Sequence, residues 1–200
     1  MPDAIDETDL ADDPFAQFAS WFAAAERDHF EPEALALATA DGDGRPAVRM
    51  VLLKQFDRDG FVFQTNYASR KGRELAGNPR AAMLFHWDPP GRQVRIEGTV
   101  SPLTREENTA LIQARDPRSR IVSLASEQSR PLASREELAR RVEELEARYG
   151  DEDLPIPDDW GGYRLVPDAF EFWQQGRNRF HDRFRYTRSA DGWAVERLYP

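Results

Sequence analysis

The sequence predicts a mainly β fold with inserted helices, of the α+β class. Short apolar runs such as Ala47 to Phe56 and Phe61 to Asn66 are separated by Asp-Gly turns, which is typical of antiparallel strands. Helical patterns interrupt these strands, and the regular βαβ alternation and glycine-rich loop of a dinucleotide-binding domain are missing. Antiparallel strands with helices between them favour a barrel with helical decoration and Greek-key-like connections.

Helices are predicted where a capping residue precedes apolar residues at helical spacing. Asp13 caps the first helix, Ser69 a short second one and Asp116 a fourth, while capping-box sequences precede the third and fifth. In order, the predicted helices cover residues 14–28, 70–77, 105–114, a segment beginning at 117, and 135–149.

Strands are predicted for the alternating segments between these helices. They cover residues 34–40, 47–56, 61–66, 80–87, 92–102, 161–166, 169–174, 180–187 and 192–198. Residues 1–11 are acidic and poor in apolar groups, so we expect them to be disordered. Residues 12–200 are expected to form a single domain.

Bulk composition excludes several classes of protein. A net charge of -9 on 200 residues argues against nucleic acid or a membrane surface as a partner. The absence of cysteine excludes disulfides and thiol catalysis, and the three scattered histidines predict no metal site. The acidic N-terminus does not resemble a signal peptide, and no apolar run approaches membrane-spanning length. We therefore expect a cytoplasmic protein.

The stretch from Glu171 to Tyr186, EFWQQGRNRFHDRFRY, concentrates basic and aromatic side chains in an acidic chain. Read as one strand of period two, it places Phe180, Phe184 and Tyr186 on one face and its basic residues on the other. A face of guanidinium groups above packed aromatics is suited to an anion, so a phosphorylated small molecule is the expected ligand. His181, flanked by arginines, is expected to stay neutral and donate a hydrogen bond. The basic face comprises Arg177, Arg179, His181, Arg183 and Arg185.

The segment Arg49 to Lys54 is an apolar strand with a cation at each end. In a regular strand the two cations point to opposite faces and would serve different ligand groups unless a bulge intervenes. A core strand with solvated ends explains the same pattern and is favoured by this segment taken alone.

Two predicted helix starts carry cations. Arg70 and Lys71 follow the cap Ser69, where the helix macrodipole disfavours positive charge unless an anion binds there. Arg115 and Ser119 flank the helix that begins after Asp116, which would suit a second phosphate. A basic surface turn and a plain Asp-Pro turn are the corresponding structural explanations.

Taken together, these segments resemble the pyridoxine/pyridoxamine 5′-phosphate oxidase family, in the family's order and from about Asp9 to Pro200. The arginine–histidine segment after Phe-Trp-Gln is the most specific of them. The matching segments are RMVLLK (49–54), QTNYASRKGREL (64–75), RQVRIEG (92–98), EQSR (127–130), WGGYRL (160–165) and EFWQQGRNRFHDRFRY (171–186).

The resemblance implies a homodimeric FMN-binding split β-barrel with FMN at the subunit interface. It implies oxidation of the 4′ carbon of pyridoxamine or pyridoxine 5′-phosphate to pyridoxal 5′-phosphate, with O2 as acceptor and H2O2 as product. Arg179 and His181 would be catalytic and lie over the substrate ring, and Lys54, Arg115 and Ser119 would bind its phosphate. The FMN contacts it implies are Arg49, Met50, Val51, Leu52, Leu53, Lys54, Thr65, Arg70, Lys71, Gln93, Gln128, Ser129, Trp173 and Arg183.

Three departures from the family pattern bear on the substrate rather than on FMN. Leu111 stands where the family usually has a tyrosine, four residues before Arg115, and it cannot hydrogen-bond a phosphate. Gln64 replaces another frequent tyrosine. The first 13 residues are acidic, whereas many members have a basic N-terminal segment that closes over the substrate.

Two other functions compete with the vitamin B6 oxidase. One is a related barrel oxidase acting on another reduced ring, such as a dihydrophenazine. Lys54, Arg115 and Ser119 favour a phosphorylated substrate instead. The other is a non-catalytic flavin or pyridoxal phosphate carrier, which would not need Arg179 and His181 over a reacting carbon.

Overall fold

The computed structural model describes residues 4–149 and 154–200. Its five α-helices are α1 (Pro14–Asp28), α2 (Arg70–Gly77), α3 (Arg105–Gln113), α4 (Pro117–Ala125) and α5 (Arg135–Tyr149). Its strands are β1 (Ala34–Ala40), β2 (Pro46–Asp57), β3 (Gly60–Asn66), β4 (Arg80–Trp87), β5 (Arg92–Pro102), β6 (Trp160–Gln174), β7 (Asp182–Ser189) and β8 (Gly192–Arg197). Among the described residues, no helix is both long and apolar enough to cross a membrane.

The strands form one antiparallel sheet in the order β3-β2-β1-β4-β5-β6-β7-β8. Because β3 also pairs with β6, the first six strands in this order close into a barrel, and β7 and β8 extend the sheet beyond it. The helices are inserted between strands. The predicted α+β class and split-barrel architecture are confirmed.

Helix α1 packs against the barrel and contributes side chains to its core. Asp13 accepts a hydrogen bond from the Phe15 amide, and Pro14 occupies the first turn, as the capping pattern predicts. Phe18 is fully buried and packs edge-on against Phe61 and Phe85 of the barrel. Burial of one such ring contributes about 1.5–3 kcal/mol.

Strand β6 is one continuous strand, so the predicted division into 161–166 and 169–174 is wrong. The gap between the two predicted segments contains Pro167, which cannot donate a ladder hydrogen bond. The register with β5 shifts between Glu97 and Gly98, which pair with Ala169 and Pro167. This bulge leaves Asp168 unpaired with β5 and accommodates the proline without ending the strand.

The basic stretch after β6 is also not a single strand. Arg177–Arg179 is a 3-10 helix, and β7 begins only at Asp182. Asn178 and Arg179 have φ of 54° and 65°, in the left-handed region that breaks a strand. Only Arg183 and Arg185 therefore share the predicted basic strand face. Phe180 is 78% exposed rather than packed, whereas Phe184 and Tyr186 are fully buried as expected.

Disorder was predicted for residues 1–11, but residues 4–11 are folded against the rest of the protein. Glu7–Asp9 is a 3-10 helix, and the Arg197 guanidinium contacts the carboxylates of Asp6 and Glu7. Tyr186 Oη donates to the Ala11 carbonyl at 2.8 Å. Pairing with a distant arginine supplies the contacts that local composition does not reveal. Residues 1–3 lie outside the described part of the chain.

Candidate functional site

Arg49 on β2 is held by β1 and α2. One of its terminal nitrogens, Nη1, donates to the Leu37 carbonyl at 3.2 Å and to Thr39 Oγ1 at 2.5 Å. The other, Nη2, donates to Glu74 Oε2 at 3.0 Å. A guanidinium has five N–H donors, so these bonds orient the group and leave donors for a ligand.

The start of α2 carries the two cations expected from the sequence, Arg70 and Lys71. Ser69 caps the helix by accepting from the Gly72 amide at 3.3 Å. A Cβ on Gly72 would lie 2.1 Å from the Tyr67 carbonyl oxygen, so only glycine permits this close packing of the helix on the chain before it. Lys71, the residue before Gly72, is buried and only 8% exposed.

The Lys71 ammonium is buried among neutral oxygens. Its Nζ donates to Thr65 Oγ1 and Gln128 Oε1, both at 2.9 Å, and lies 3.4 Å from Ser69 Oγ. Burial, together with Arg49 nearby, lowers the pKa of Lys71 to about 8. Because a buried cation without a hydrogen-bonded anion is costly, this site favours the arrival of a negatively charged ligand.

Glu74 lies behind these cations and was missed by the sequence analysis. Its carboxylate is 6% exposed; Oε2 accepts from Thr39 and Arg49, and Oε1 accepts from Arg70 Nε at 2.8 Å. Burial raises the pKa of Glu74, but hydrogen bonds from Thr39, Arg70 and Arg49 outweigh it and leave the pKa below its ordinary value. The i,i+4 spacing of Glu74 from Arg70 was the one feature of the sequence that could have indicated this ion pair. We call Arg49, Thr65, Arg70, Lys71, Glu74 and Gln128 the Lys71 cluster.

The start of α4 forms a second, more open cationic site. Asp116 caps the helix by accepting from the Ser119 amide at 3.1 Å. Arg115 and Ser119 line a cavity of about 500 Å³ that Gln128 and Trp160 also line, which we call the Arg115 cavity. The Arg115 Cζ lies 4.7 Å from the centroid of the Trp160 ring. Burial, with Arg120 adding to it, lowers the pKa of Arg115.

Gln128 joins the two cationic sites, because it contacts Lys71 and also lines the Arg115 cavity. Ser129 follows in an exposed turn and has a φ of 72°. Lys54 does not line the Arg115 cavity; it is exposed in a separate open cavity with Glu26 and Glu33. Lys54 is exposed whereas Arg49 is half-buried, and the register of β2 against β3 shifts at Lys54, between Leu53 and Gln55.

A third group of predicted residues lies across β5, β6 and β7. Gln93 pairs with Trp173, which pairs with Arg183, so the three side chains form one row on the same face. Arg183 donates from Nε and Nη2 to Glu171 Oε1, at 2.9 and 2.8 Å. Within the part of the chain that the structure describes, no hydrogen bond or ion pair joins this row to the Lys71 cluster.

His181 and Arg179 lie in the loop at the end of this row. The Gly176 amide donates to His181 Nδ1 at 3.2 Å, so the neutral ring carries its proton on Nε2 and can donate outward. The imidazole and the Trp173 ring are 4.6 Å apart between centroids. A Cβ on Gly176 would lie 1.6 Å from the Phe180 carbonyl oxygen, so glycine allows the loop to fold back.

The remaining predicted contacts lie on both faces of β2. Val51 and Leu53 point inward with Arg49, whereas Met50 and Leu52 are 65% and 36% exposed. Val48, 69% exposed, belongs to the same outer strip. Such a row of exposed apolar side chains on one strand is typical of a surface that another protein covers.

Family models match almost the whole chain. Residues 23–149 match the model described as pyridoxamine 5′-phosphate oxidase. Residues 160–200 match the model described as the pyridoxine 5′-phosphate oxidase C-terminal dimerisation region. The second match covers β6 to β8 with the loop between β6 and β7, and so includes Trp173, Arg179, His181 and Arg183.

Individual relatives agree with these matches. Pyridoxine/pyridoxamine 5′-phosphate oxidase of Gluconobacter oxydans is 50% identical over 193 residues, covering 96% of both chains. The enzyme of the same name from Rubrobacter xylanophilus is 51% identical, covering 94% of this chain and 87% of the relative.

Solved structures share the fold. PhzG from Burkholderia lata, solved in complex with tetrahydrophenazine-1-carboxylic acid, superposes with a TM-score of 0.93 at 37% identity, covering 99% of this chain and 98% of that one. A pyridoxamine 5′-phosphate oxidase-related, FMN-binding protein from Nostoc punctiforme has a TM-score of 0.77 at 19% identity, covering 96% and 100%, and supports the fold alone. With two family models and relatives near 50% identity in agreement, the chain belongs to the pyridoxine/pyridoxamine 5′-phosphate oxidase family.

Proposed function

We propose that this protein is an FMN-dependent oxidase that converts pyridoxamine or pyridoxine 5′-phosphate to pyridoxal 5′-phosphate. O2 is the acceptor and H2O2 the product; the amine substrate also takes up water and releases ammonia. The observation that carries the proposal is the pair of cationic helix starts, at Ser69 and Asp116, because cofactor and substrate each bring one phosphate.

The cofactor is FMN, and the Lys71 cluster suits its phosphate. Arg49, Arg70 and Lys71 supply three positive charges and Glu74 one negative charge, which leaves two. A phosphomonoester carries about −1.5 to −2 charges at neutral pH, so it balances the cluster. Thr65 and the cap of α2 add neutral donors to this site.

The substrate phosphate is assigned to the Arg115 cavity, with Arg115 and Ser119 as donors. Lys54 is proposed to reach the same phosphate in the assembled enzyme, although it lies in another cavity of the single chain. Leu111 provides no hydrogen bond here, so we expect weaker phosphate binding than in relatives with a tyrosine.

Arg179 and His181 are proposed to hold the substrate ring over the flavin. When bound, FMN accepts the two electrons removed from the substrate's 4′ carbon. The protein therefore needs no strong acid or base; Arg179 supplies positive charge and His181 Nε2 a hydrogen bond. Trp173, Gln93 and Arg183 are proposed to contact the cofactor from the row beside them.

A homodimer is proposed to bring the two halves of the site together. The C-terminal segment matches a dimerisation region, and the exposed strip of Val48, Met50 and Leu52 offers an apolar surface to a second copy. In such a dimer, the Lys71 cluster of one protomer would face the Trp173 row of its partner.

A second candidate is oxidation of a reduced phenazine ring, favoured by the likeness to PhzG at a TM-score of 0.93. The retained Arg115 and Ser119 argue for the phosphorylated substrate, because a carboxylated ring does not need a second phosphate site. A carrier that performs no chemistry is the third outcome to be tested.

Anaerobic titration of the purified, FMN-loaded protein separates these functions. Pyridoxamine 5′-phosphate should bleach the flavin absorbance near 450 nm (roughly its usual maximum) within seconds. Bleaching by a dihydrophenazine alone would identify the second candidate instead. Absence of bleaching with every donor would leave only the carrier.

Arg179→Ala should lower turnover of pyridoxamine 5′-phosphate by about 100-fold while FMN stays bound, since a charge over the reacting ring is lost. Arg177→Ala is the matched control, because Arg177 lies in the same exposed turn and has no assigned role. Loss of FMN from the Arg179 variant would contradict its assignment to the substrate.

A further inference from the structure

Glu74 is an anionic residue within a proposed anion-binding site. Its carboxylate is 6% exposed and lies against Arg49, yet a negative charge beside a phosphate site opposes phosphate binding. Repulsion of the ligand alone would make this carboxylate unfavourable for binding. Its contacts indicate what it contributes instead.

The three donors to Glu74 come from three elements of the fold. Thr39 belongs to β1, Arg49 to β2 and Arg70 to α2. Thr39 also accepts from Arg49 Nη1, so Thr39, Arg49 and Glu74 form a closed ring of hydrogen bonds. The side chain of Arg70 is 60% exposed, and a long exposed side chain samples many rotamers unless it is tethered.

We infer that Glu74 is a positioning residue that holds Arg49 and Arg70 in the geometry that grips the FMN phosphate. The inference rests on the proposed FMN site and adds a residue to it that makes no contact with the phosphate itself. Glu74 repels the phosphate, but it also orients two guanidinium groups before FMN binds. Less conformational entropy is therefore lost on FMN binding, which offsets the repulsion.

The test compares FMN with riboflavin, which lacks the phosphate, by quenching of flavin fluorescence on the apoprotein. Glu74→Gln keeps the size of the side chain but provides one acceptor oxygen instead of two. We expect it to weaken FMN binding by about tenfold or more and to leave riboflavin binding unchanged. If Glu74 acted only through its charge, the same variant would bind FMN more tightly, and that result would overturn the inference.

Glu74→Asp separates position from charge, since it keeps the carboxylate but withdraws it by one methylene. It should lose FMN affinity too, by a smaller factor, and again without loss of riboflavin binding; unchanged FMN affinity would contradict the positioning role. Circular dichroism checks that each variant is folded, and Glu74→Asp provides the test if Glu74→Gln is unfolded. Glu144→Gln, which removes an exposed i,i+4 partner of Arg140, is the matched control. If the unsubstituted protein binds no FMN, the proposed function fails instead.

Discussion

The two cationic helix starts differ in how much of the site exists before a ligand arrives. At α2, Lys71 is buried, Arg49 is bonded to two other elements, and Glu74 closes the network. At α4, Arg115 rests on the Trp160 ring and faces an open cavity of about 500 Å³. The first arrangement suits a ligand that stays bound, and the second a ligand that must enter and leave at each turnover. The same helix-start chemistry thus serves a cofactor or a substrate according to what surrounds it.

The largest expected effect is on the buried cation. Lys71→Met should weaken FMN binding by about 100-fold, because a buried charge-assisted contact to the phosphate is lost. Fluorescence titration of the apoprotein measures it, and Arg73→Met, on the exposed side of the same helix, is the control. A variant that kept its FMN affinity but lost affinity for the substrate would show that the two sites are assigned the wrong way round.

The pH dependence of FMN binding tests whether the buried Lys71 distinguishes the α2 site from the α4 site. The pKa of Lys71 is about 8 in the free protein, and a bound phosphate favours the charged ammonium and so raises that pKa. Above about pH 8 the free protein must take up a proton to bind, so FMN affinity should fall about tenfold between pH 7 and pH 9. Titrations at both pH values measure this change. In Lys71→Met the change should vanish, and its persistence there would exclude Lys71 as its source.

The smallest expected effect is at the open site. Trp160→Leu removes the ring under Arg115 and should raise the KM for pyridoxamine 5′-phosphate by about three- to tenfold, with little change in kcat. Trp160→Phe keeps a ring and should recover part of the loss. Steady-state kinetics with saturating FMN measures both variants. A fall in FMN affinity instead would mean that Trp160 belongs to the Lys71 cluster.

Local patterns predicted the cation-bearing helix starts well. Ser69 and Asp116 cap α2 and α4 as expected, because a capping side chain acts within three residues of the amide it accepts from. The mismatch of Arg70 and Lys71 with the helix macrodipole pointed to an anion without any knowledge of the fold. Helix caps and first-turn charges can be predicted from the sequence because the interacting groups lie in the same turn of the helix.

Longer segments were misread where the backbone leaves the regular period. Alternation over residues 177–185 predicted five basic side chains on one strand face, but positive φ at Asn178 and Arg179 ends the pattern before β7. The register between β5 and β6 shifts at Glu97 and Gly98, and β6 continues across Pro167. Periodicity depends only on residue types along the chain, and these do not reveal a loop that folds back or a bulge within a strand.

The sequence by itself determined the order of strands and helices, apart from the continuity of β6, because local patterns depend on neighbours along the chain. For the same reason it determined the helix caps and the residues that carry the family resemblance. Only the tertiary structure decided that Glu74, Thr39 and Arg49 meet, since they come from α2, β1 and β2. It also decided that Lys71 is buried, because its ammonium packs against Thr65 of β3 and Gln128, which follows α4. Burial and long-range hydrogen bonds depend on which distant segments pack together, and they set the charge and rigidity of the site.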